Sequence, residues 1–279
     1  MFNKKLLTYV YLKFSKLYVF LFGRKQMQFI NDIIFSLSLD AKGYKHYAHF
    51  FNSGEKSFIK LIKNEIDLSI DIGANIGDYT KLLLLETESK VISFEPLKGA
   101  FEELKKIHLQ FKDRSEIHNI ALGAETKKQN IFYEHEKSEK ASLVSNLEEI
   151  SLIGDKNKNK TLIDVKKLDD FESYFSKQKI DLIKIDTEGF EYEVLKGATK
   201  ILDQHKPKFI QIEFGWHHLI KNQSLYNISK LIYFSDVFKI LPYGKKLIQV
   251  DPSRPENNIY HLSNSVSYTH LTLPTTVIV

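Results

Sequence analysis

The stretch that most constrains this chain is Asp71-Ile72-Gly73-Ala74-Asn75-Ile76-Gly77-Asp78, followed one strand later by Glu95. The apolar run 68–72 predicts a short buried strand, the glycines a tight turn, and residues 79–85 a helix. A second apolar run, 91–94, ends at Glu95. Strand, glycine turn, helix, strand and acid form the front half of a Rossmann-like nucleotide site. The glycines let the backbone approach a ligand, and the acid can accept hydrogen bonds from two ribose hydroxyls.

The same residues restrict the nucleotide. A dinucleotide turn reads G-x-G-x-x-G, with the pyrophosphate on the helix N-terminus. Here Asn75 stands at the second glycine and Asp78 at the third. A carboxylate there repels a diphosphate, and Asp71 adds a second negative charge. A P-loop is excluded because no Lys-Ser or Lys-Thr follows the turn. The expected ligand contains a ribose, carries positive charge and lacks phosphate. S-adenosylmethionine, with its sulfonium, ammonium and adenosine, meets all three conditions.

Further along, strands are expected near 117–120, 180–185 and 209–214, separated by helical patterns, with two short strands near 237–241 and 246–250. The alternation predicts an α/β fold with a doubly wound, mostly parallel, seven-stranded sheet and ligands at the carboxyl ends of its strands. The expected division is a helical N-terminal extension over 1–56, a catalytic domain over 57–265 and a tail over 266–279. That tail lacks any acid, lysine or arginine and reads as non-native or disordered. The lysine-rich stretch 137–160 reads as an insertion or mobile loop and, with the loop after Phe214, is expected to supply the variable pocket walls. Cysteine is absent, which removes thiol nucleophiles and cysteine metal sites and fits a reducing, cytoplasmic setting. The net charge of +5 forms no single dense basic stripe, so nucleic acid is not an expected partner.

Residues 1–26 are basic, with Lys4, Lys5, Lys13, Lys16, Arg24 and Lys25 and no acid. On a helical wheel Leu6, Leu7, Val10, Phe14, Leu17 and Leu21 cover one face. Lys13 and Lys16 interrupt the middle, which argues against a membrane span. Two readings stay open: a helix packed on the catalytic domain, or a peripheral contact with the inner face of an anionic membrane.

A second motif runs from Asp181 to Gly197 and contains Lys184, Asp186, Glu188, Glu191 and Glu193. The acids suit the start of the following helix, but Asp186 closes a strand at the ligand edge. The ordered blocks 71–77, Phe94-Glu95-Pro96, 119–123, 168–170 and 184–191 resemble those of FkbM-type methyltransferases. The resemblance covers roughly 68–262 and implies a class I methyltransferase fold, S-adenosylmethionine, and O-methylation of a sugar, glycan or related small molecule, as in bacterial glycan biosynthesis. Carried onto this chain, it implies that Asp71, Gly73, Asn75 and Gly77 hold the methionine part. Glu95 and Pro96 would meet the ribose, and Asn119 to Ala121 would border the adenine. Asp186 and Glu188 would face the substrate.

Methyl transfer to a hydroxyl needs alignment and a base. Asp186 is the first candidate for that base. His217 and His218 follow the 209–214 strand and titrate near neutrality, which makes them the alternatives. Lys184 and Glu213 complete the expected substrate side. Asp186, Glu188 and Glu213 could gather a divalent cation, yet alkyl transfer from a sulfonium needs none, so no metal is expected. An NAD-type enzyme, an RNA methyltransferase and a non-catalytic membrane-associated module remain the competing classes.

Overall fold

The computed structural model describes residues 4–44, 54–138, 140–144, 159–176, 178–241 and 247–269. The chain divides into two units, 1–42 and 43–279.

In the first unit, helices α1 (Lys4–Phe22) and α2 (Gln28–Ala41) form a hairpin through a 3-10 turn, Lys25–Met27. Asn31 donates to the Phe22 carbonyl at 2.9 Å and accepts from the Tyr18 hydroxyl at 2.6 Å. One side chain thus satisfies an orphan carbonyl at the end of α1 and ties the two helices together.

The second unit begins its core with α3 (Glu55–Ile62) and continues with β1 (Leu68–Ile72), α4 (Asp78–Glu86), β2 (Lys90–Phe94), α5 (Lys98–Gln110) and β3 (Ser115–His118). A short β4 (Ala121–Leu122), then β5 (Lys127–Tyr133) and β6 (Asn159–Lys166), build a separate three-stranded sheet that the sequence pattern did not announce. After α6 (Glu172–Phe175) come β7 (Leu182–Ile185), α7 (Glu191–Lys196), α8 (Thr199–His205), β8 (Phe209–Phe214), α9 (His217–Ile220), α10 (Leu225–Leu231), β9 (Asp236–Ile240), β10 (Leu247–Val250) and β11 (Ser263–Tyr268).

The main sheet has the order β10-β9-β11-β8-β7-β1-β2-β3. Its β8-β7-β1-β2-β3 half is parallel, and β9, β10 and β11 are antiparallel additions. This is the Rossmann-like α/β fold of class I methyltransferases. It has eight strands among the described residues rather than seven, because β11 inserts between β8 and β9. That insertion corrects the expected tail. Val266, Ser267 and Tyr268 are buried in the sheet, and Tyr268 stacks on Phe209 with ring centroids 5.0 Å apart. Polar-apolar alternation in Ser263–Tyr268 was the available signal, obscured by the unusual composition that follows. Residues 270–279 lie outside the described residues, as do 139 and 145–158 of the expected loop. The extension boundary also moves: Glu55, assigned by sequence to 1–56, is buried in the second unit.

The central strands are buried on both faces and alternate in character. Ile70, Ile72, Ile183, Ile185, Ile210 and Ile212 pack towards Val194, Leu195, Ile201 and Leu225 on the helical layer. The opposite face carries a polar row, Ser93, Asp71, Lys184 and Gln211, set side by side by the strand register. Hydrogen bonds tie this row to its neighbours, Asp71 through one of its two oxygens: Thr80 donates to Asp71 at 2.6 Å, Tyr79 to Gln211 at 2.7 Å, and Gln211 to Glu55 at 2.6 Å. Buried polar groups persist only when so paired.

The glycine turn has a different physical basis from the one its motif suggests. Gly73 has φ +81°, and a Cβ there would stand 1.8 Å from the Asp186 carbonyl oxygen. A Cβ on Gly77, φ +94°, would meet Ile107 and Leu104 of α5 at 2.6 and 2.8 Å. The glycines are therefore required by chain packing. Gly73→Ala combines left-handed strain with a backbone clash and is expected to cost about 3 kcal/mol or more, read as a lowered urea midpoint with unchanged slope.

Candidate functional site

The carboxyl ends of β1, β2, β7 and β8 open into a cavity of about 1030 Å³. Asp71, Gly73, Asn75, Glu95, Pro96 and Ala121 line it from one side, and Lys184, Asp186, Glu188 and Glu213 from the other. Topology makes this convergence. The four strands run parallel, so residues far apart in sequence end at one edge. Gly77 and Asn119 are not among the lining residues. Asn119 instead donates to the carbonyls of Glu95 and Pro96 at 2.8 and 3.0 Å, bracing the turn behind the acid.

Glu95 stands immediately after β2 and is buried. Its Oε2 accepts the Asn75 N–H at 2.9 Å and its Oε1 the Leu97 N–H at 2.8 Å. Each oxygen keeps a lone pair for a further donor. Burial pushes the carboxyl up to about 7, with the two N–H donors pulling the other way. Asn75 holds φ +49° and donates to the Ser138 carbonyl at 3.0 Å, pinning a wall segment over the cavity. Asp71 is wholly buried. Its Oδ2 accepts from Thr80, and its Oδ1 has no hydrogen-bond partner. Burial raises its pKa, and the Lys184 charge opposes that rise.

Lys184 is buried in β7 and does not snorkel. Its Nζ donates to Asp186 Oδ2 at 2.8 Å, lies 4.0 Å from Glu55 and sits 4.7 Å over the Tyr79 ring. Burial alone would lower its pKa, but Asp186, Glu55 and Asp71 outweigh that and raise it. This lysine is a permanent cation that occupies Asp186.

The oxygens of Asp186, Glu188 and Glu213 lie within 4.8 Å of one another. Three like charges at such spacing repel strongly in a poorly solvated site. The structure relieves them in three ways. Lys184 neutralises Asp186. Burial, then the charges of Asp186 and Glu188, hold the Glu213 pKa well above the usual carboxylate range, which disfavours its charged form. Glu188 pairs with His217 Nε2 at 2.9 Å. Burial raises the Glu188 pKa, with His217 the main opposing influence. Lys184 thus supplies a fixed countercharge beside Asp186, and His217 stands against Glu188.

The two histidines diverge from their expected roles. His218 is 1% exposed and pairs with the equally buried Glu191 at 2.9 Å. It does not line the cavity, and His217 reaches it only through Glu188. Glu191 Oε1 accepts the N–H groups of Thr187 at 2.7 Å and Gly189 at 3.3 Å. This pair therefore builds the turn that holds Glu188 at φ +53°. Burial opposes ionisation of Glu191, but His218 and the backbone donors prevail and hold it at about 2. Glu191→Ala is expected to cost about 3–5 kcal/mol in thermal unfolding, because it leaves His218 buried and alone.

Sequence reasoning missed Glu55 as a cavity residue, while Lys140 and Trp216 fall in the two segments expected to wall the pocket. Lys140 Nζ lies 5.6 Å from the Trp216 ring. Glu55 carries no local signal.

A family model, the Methyltransferase FkbM domain, matches residues 71–246. The chain belongs to the FkbM methyltransferase family. The FkbM match spans the glycine turn, Glu95 and the whole acidic cluster, whereas Glu55 and β11 lie outside it. Among curated proteins none matches the chain. Similar solved structures include a protein provisionally designated an O-methyltransferase from Klebsiella pneumoniae, at 9% identity and TM-score 0.41, covering 82% of this chain and 84% of that one. A protein provisionally designated an RNA methyltransferase, from Pyrococcus horikoshii, follows at 11%, 0.36, 78% and 82%. The C-terminal domain of precorrin-6Y C5,15-methyltransferase from Rhodobacter capsulatus matches at 10%, 0.40, 81% and 94%. At these values they carry no argument about substrate.

Proposed function

We propose that this FkbM methyltransferase is an S-adenosylmethionine-dependent O-methyltransferase acting on a hydroxyl of a sugar, glycan or related small molecule. The observation that carries the reading is the acid-lined cavity, in which Glu95 offers two free lone pairs opposite a proton-accepting cluster. The donor set suits this cofactor. The orphaned Oδ1 of buried Asp71 and the surrounding carboxylates favour a cationic ligand over a phosphate. Phe94, Ile120, Leu122 and Ile131 offer apolar walls for a base.

Bound there, S-adenosylmethionine supplies an electrophilic methyl group on its sulfonium. The chain's own residues do the rest. Glu95 accepts hydrogen bonds from the ribose hydroxyls. Glu188 is the group best placed to take the acceptor proton: it reaches the cavity, while Asp186 is held by Lys184 and burial disfavours ionisation of Glu213. With the cofactor held there, a Glu188 carboxylate oxygen would take the proton of the acceptor hydroxyl as that hydroxyl is methylated. His217 orients this carboxylate from behind. Trp216 offers an aromatic face for the C–H side of a sugar ring, and the carboxylates accept its hydroxyls.

The test is transfer of labelled methyl from the cofactor into polysaccharide and glycolipid extracts, with RNA as a parallel acceptor. Label in a hydroxyl of a carbohydrate supports the reading. Strongly salt-dependent RNA binding with label in RNA overturns it. Residues 43–279 argue against that second outcome, since their 33 Lys and Arg balance 33 Asp and Glu.

A further inference from the structure

The first unit carries a surface that methyl transfer does not use. Residues 1–42 hold seven Lys and Arg against two Asp, a balance of +5. That equals the formal net charge of the whole chain, so all of its imbalance lies in this unit. The same unit exposes apolar side chains on more than one face. In α1, Val10, Phe14, Leu17 and Leu21 of the face drawn on the wheel are exposed, and so are Leu12, Val19 and Phe20. In α2, Phe29, Ile33, Ile34, Phe35 and Leu37 are exposed, Phe29 by 73%. Exposed apolar side chains in this number mark an interaction surface. No helix among the described residues is long and apolar enough to cross a membrane.

We propose that the α1–α2 hairpin docks this protein peripherally on an anionic lipid bilayer, lying in the headgroup plane. Apolar side chains beside a net basic charge are what such an interface binds. Lys13 and Lys16 stand on α1 among these residues, where long aliphatic stems let their ammonium groups reach the headgroups. Tyr9, Tyr11 and Tyr18 present an apolar ring and a polar tip, as interfacial residues do. The Asn31 hydrogen bonds hold the two helices as one element, so both insert together. A second copy of the chain is a poorer occupant, because it would bring the same +5 charge against this one.

The experiment is co-sedimentation of the full-length protein with phosphatidylcholine vesicles, with and without phosphatidylglycerol. Binding is expected only with phosphatidylglycerol and should fall as salt rises. Lys13→Gln with Lys16→Gln should weaken it about 30-fold, at roughly fivefold per charge. Phe20→Ser with Phe29→Ser should weaken it at least about 100-fold, while circular dichroism confirms that helix content is kept. Absence of binding to either vesicle overturns the proposal, as does equal binding to both. A concentration-dependent dimer in analytical ultracentrifugation that Phe29→Ser dissociates would assign the face to a second copy instead.

Discussion

Glu188→Gln is expected to lower kcat by about 10²–10⁴-fold while leaving the affinity for S-adenosylmethionine unchanged. Glutamine keeps the volume and the left-handed turn but cannot accept a proton. The loss should therefore fall on turnover alone. The positioning role of His217 has a separate signature. Its charge holds the Glu188 pKa down against burial, with Asp186 and Glu191 pushing the other way. His217→Gln should therefore raise that pKa, and the acid limb of the pH–kcat profile should move to higher pH. A mere packing defect would lower kcat without moving the limb. Asp186→Asn tests the alternative. If Glu188→Gln turns over normally and Asp186→Asn does not, the base is Asp186 and the assignment fails.

Glu95→Ala should abolish measurable cofactor binding in calorimetry. Two hydrogen bonds to a charged carboxylate are worth about 1.5–3 kcal/mol each, and the substitution also strips the buried Asn75 and Leu97 N–H groups of their acceptor. Glu95 further predicts a pH dependence. Burial raises its pKa to about 7 in the free protein, and ribose hydroxyls donate best to the ionised form. Affinity should therefore be full above that value and weaken as pH falls through it, by up to about tenfold per unit. Unaltered affinity for the cofactor in Glu95→Ala, or a flat profile between pH 6 and 8, would remove Glu95 from the site.

The local code for the α/β alternation was legible because strands buried on both faces read as apolar runs, and Gly73 and Glu95 mark their ends. The resemblance to FkbM proteins was also legible, since its ordered blocks survive as sequence. What escaped was non-local. Glu55 looks like any helix-starting acid until Gln211, 156 residues away, donates to it. The strand Ser263–Tyr268 was hidden because its neighbours, β8 and β9, lie far upstream.

The division is clearest at the opening motif. Sequence alone determined that a glycine turn and two acids would stand at the strand ends, and that their charge would disfavour phosphate. Only the tertiary structure decided why the glycines are there: the Asp186 carbonyl and the side chains of α5 occupy the space a Cβ would need. It also gave the three clustered carboxylates different neighbours. Asp186, Glu188 and Glu213 are equivalent acids on paper, and a lysine beside the first, a histidine beside the second and the burial that raises the pKa of the third make them different.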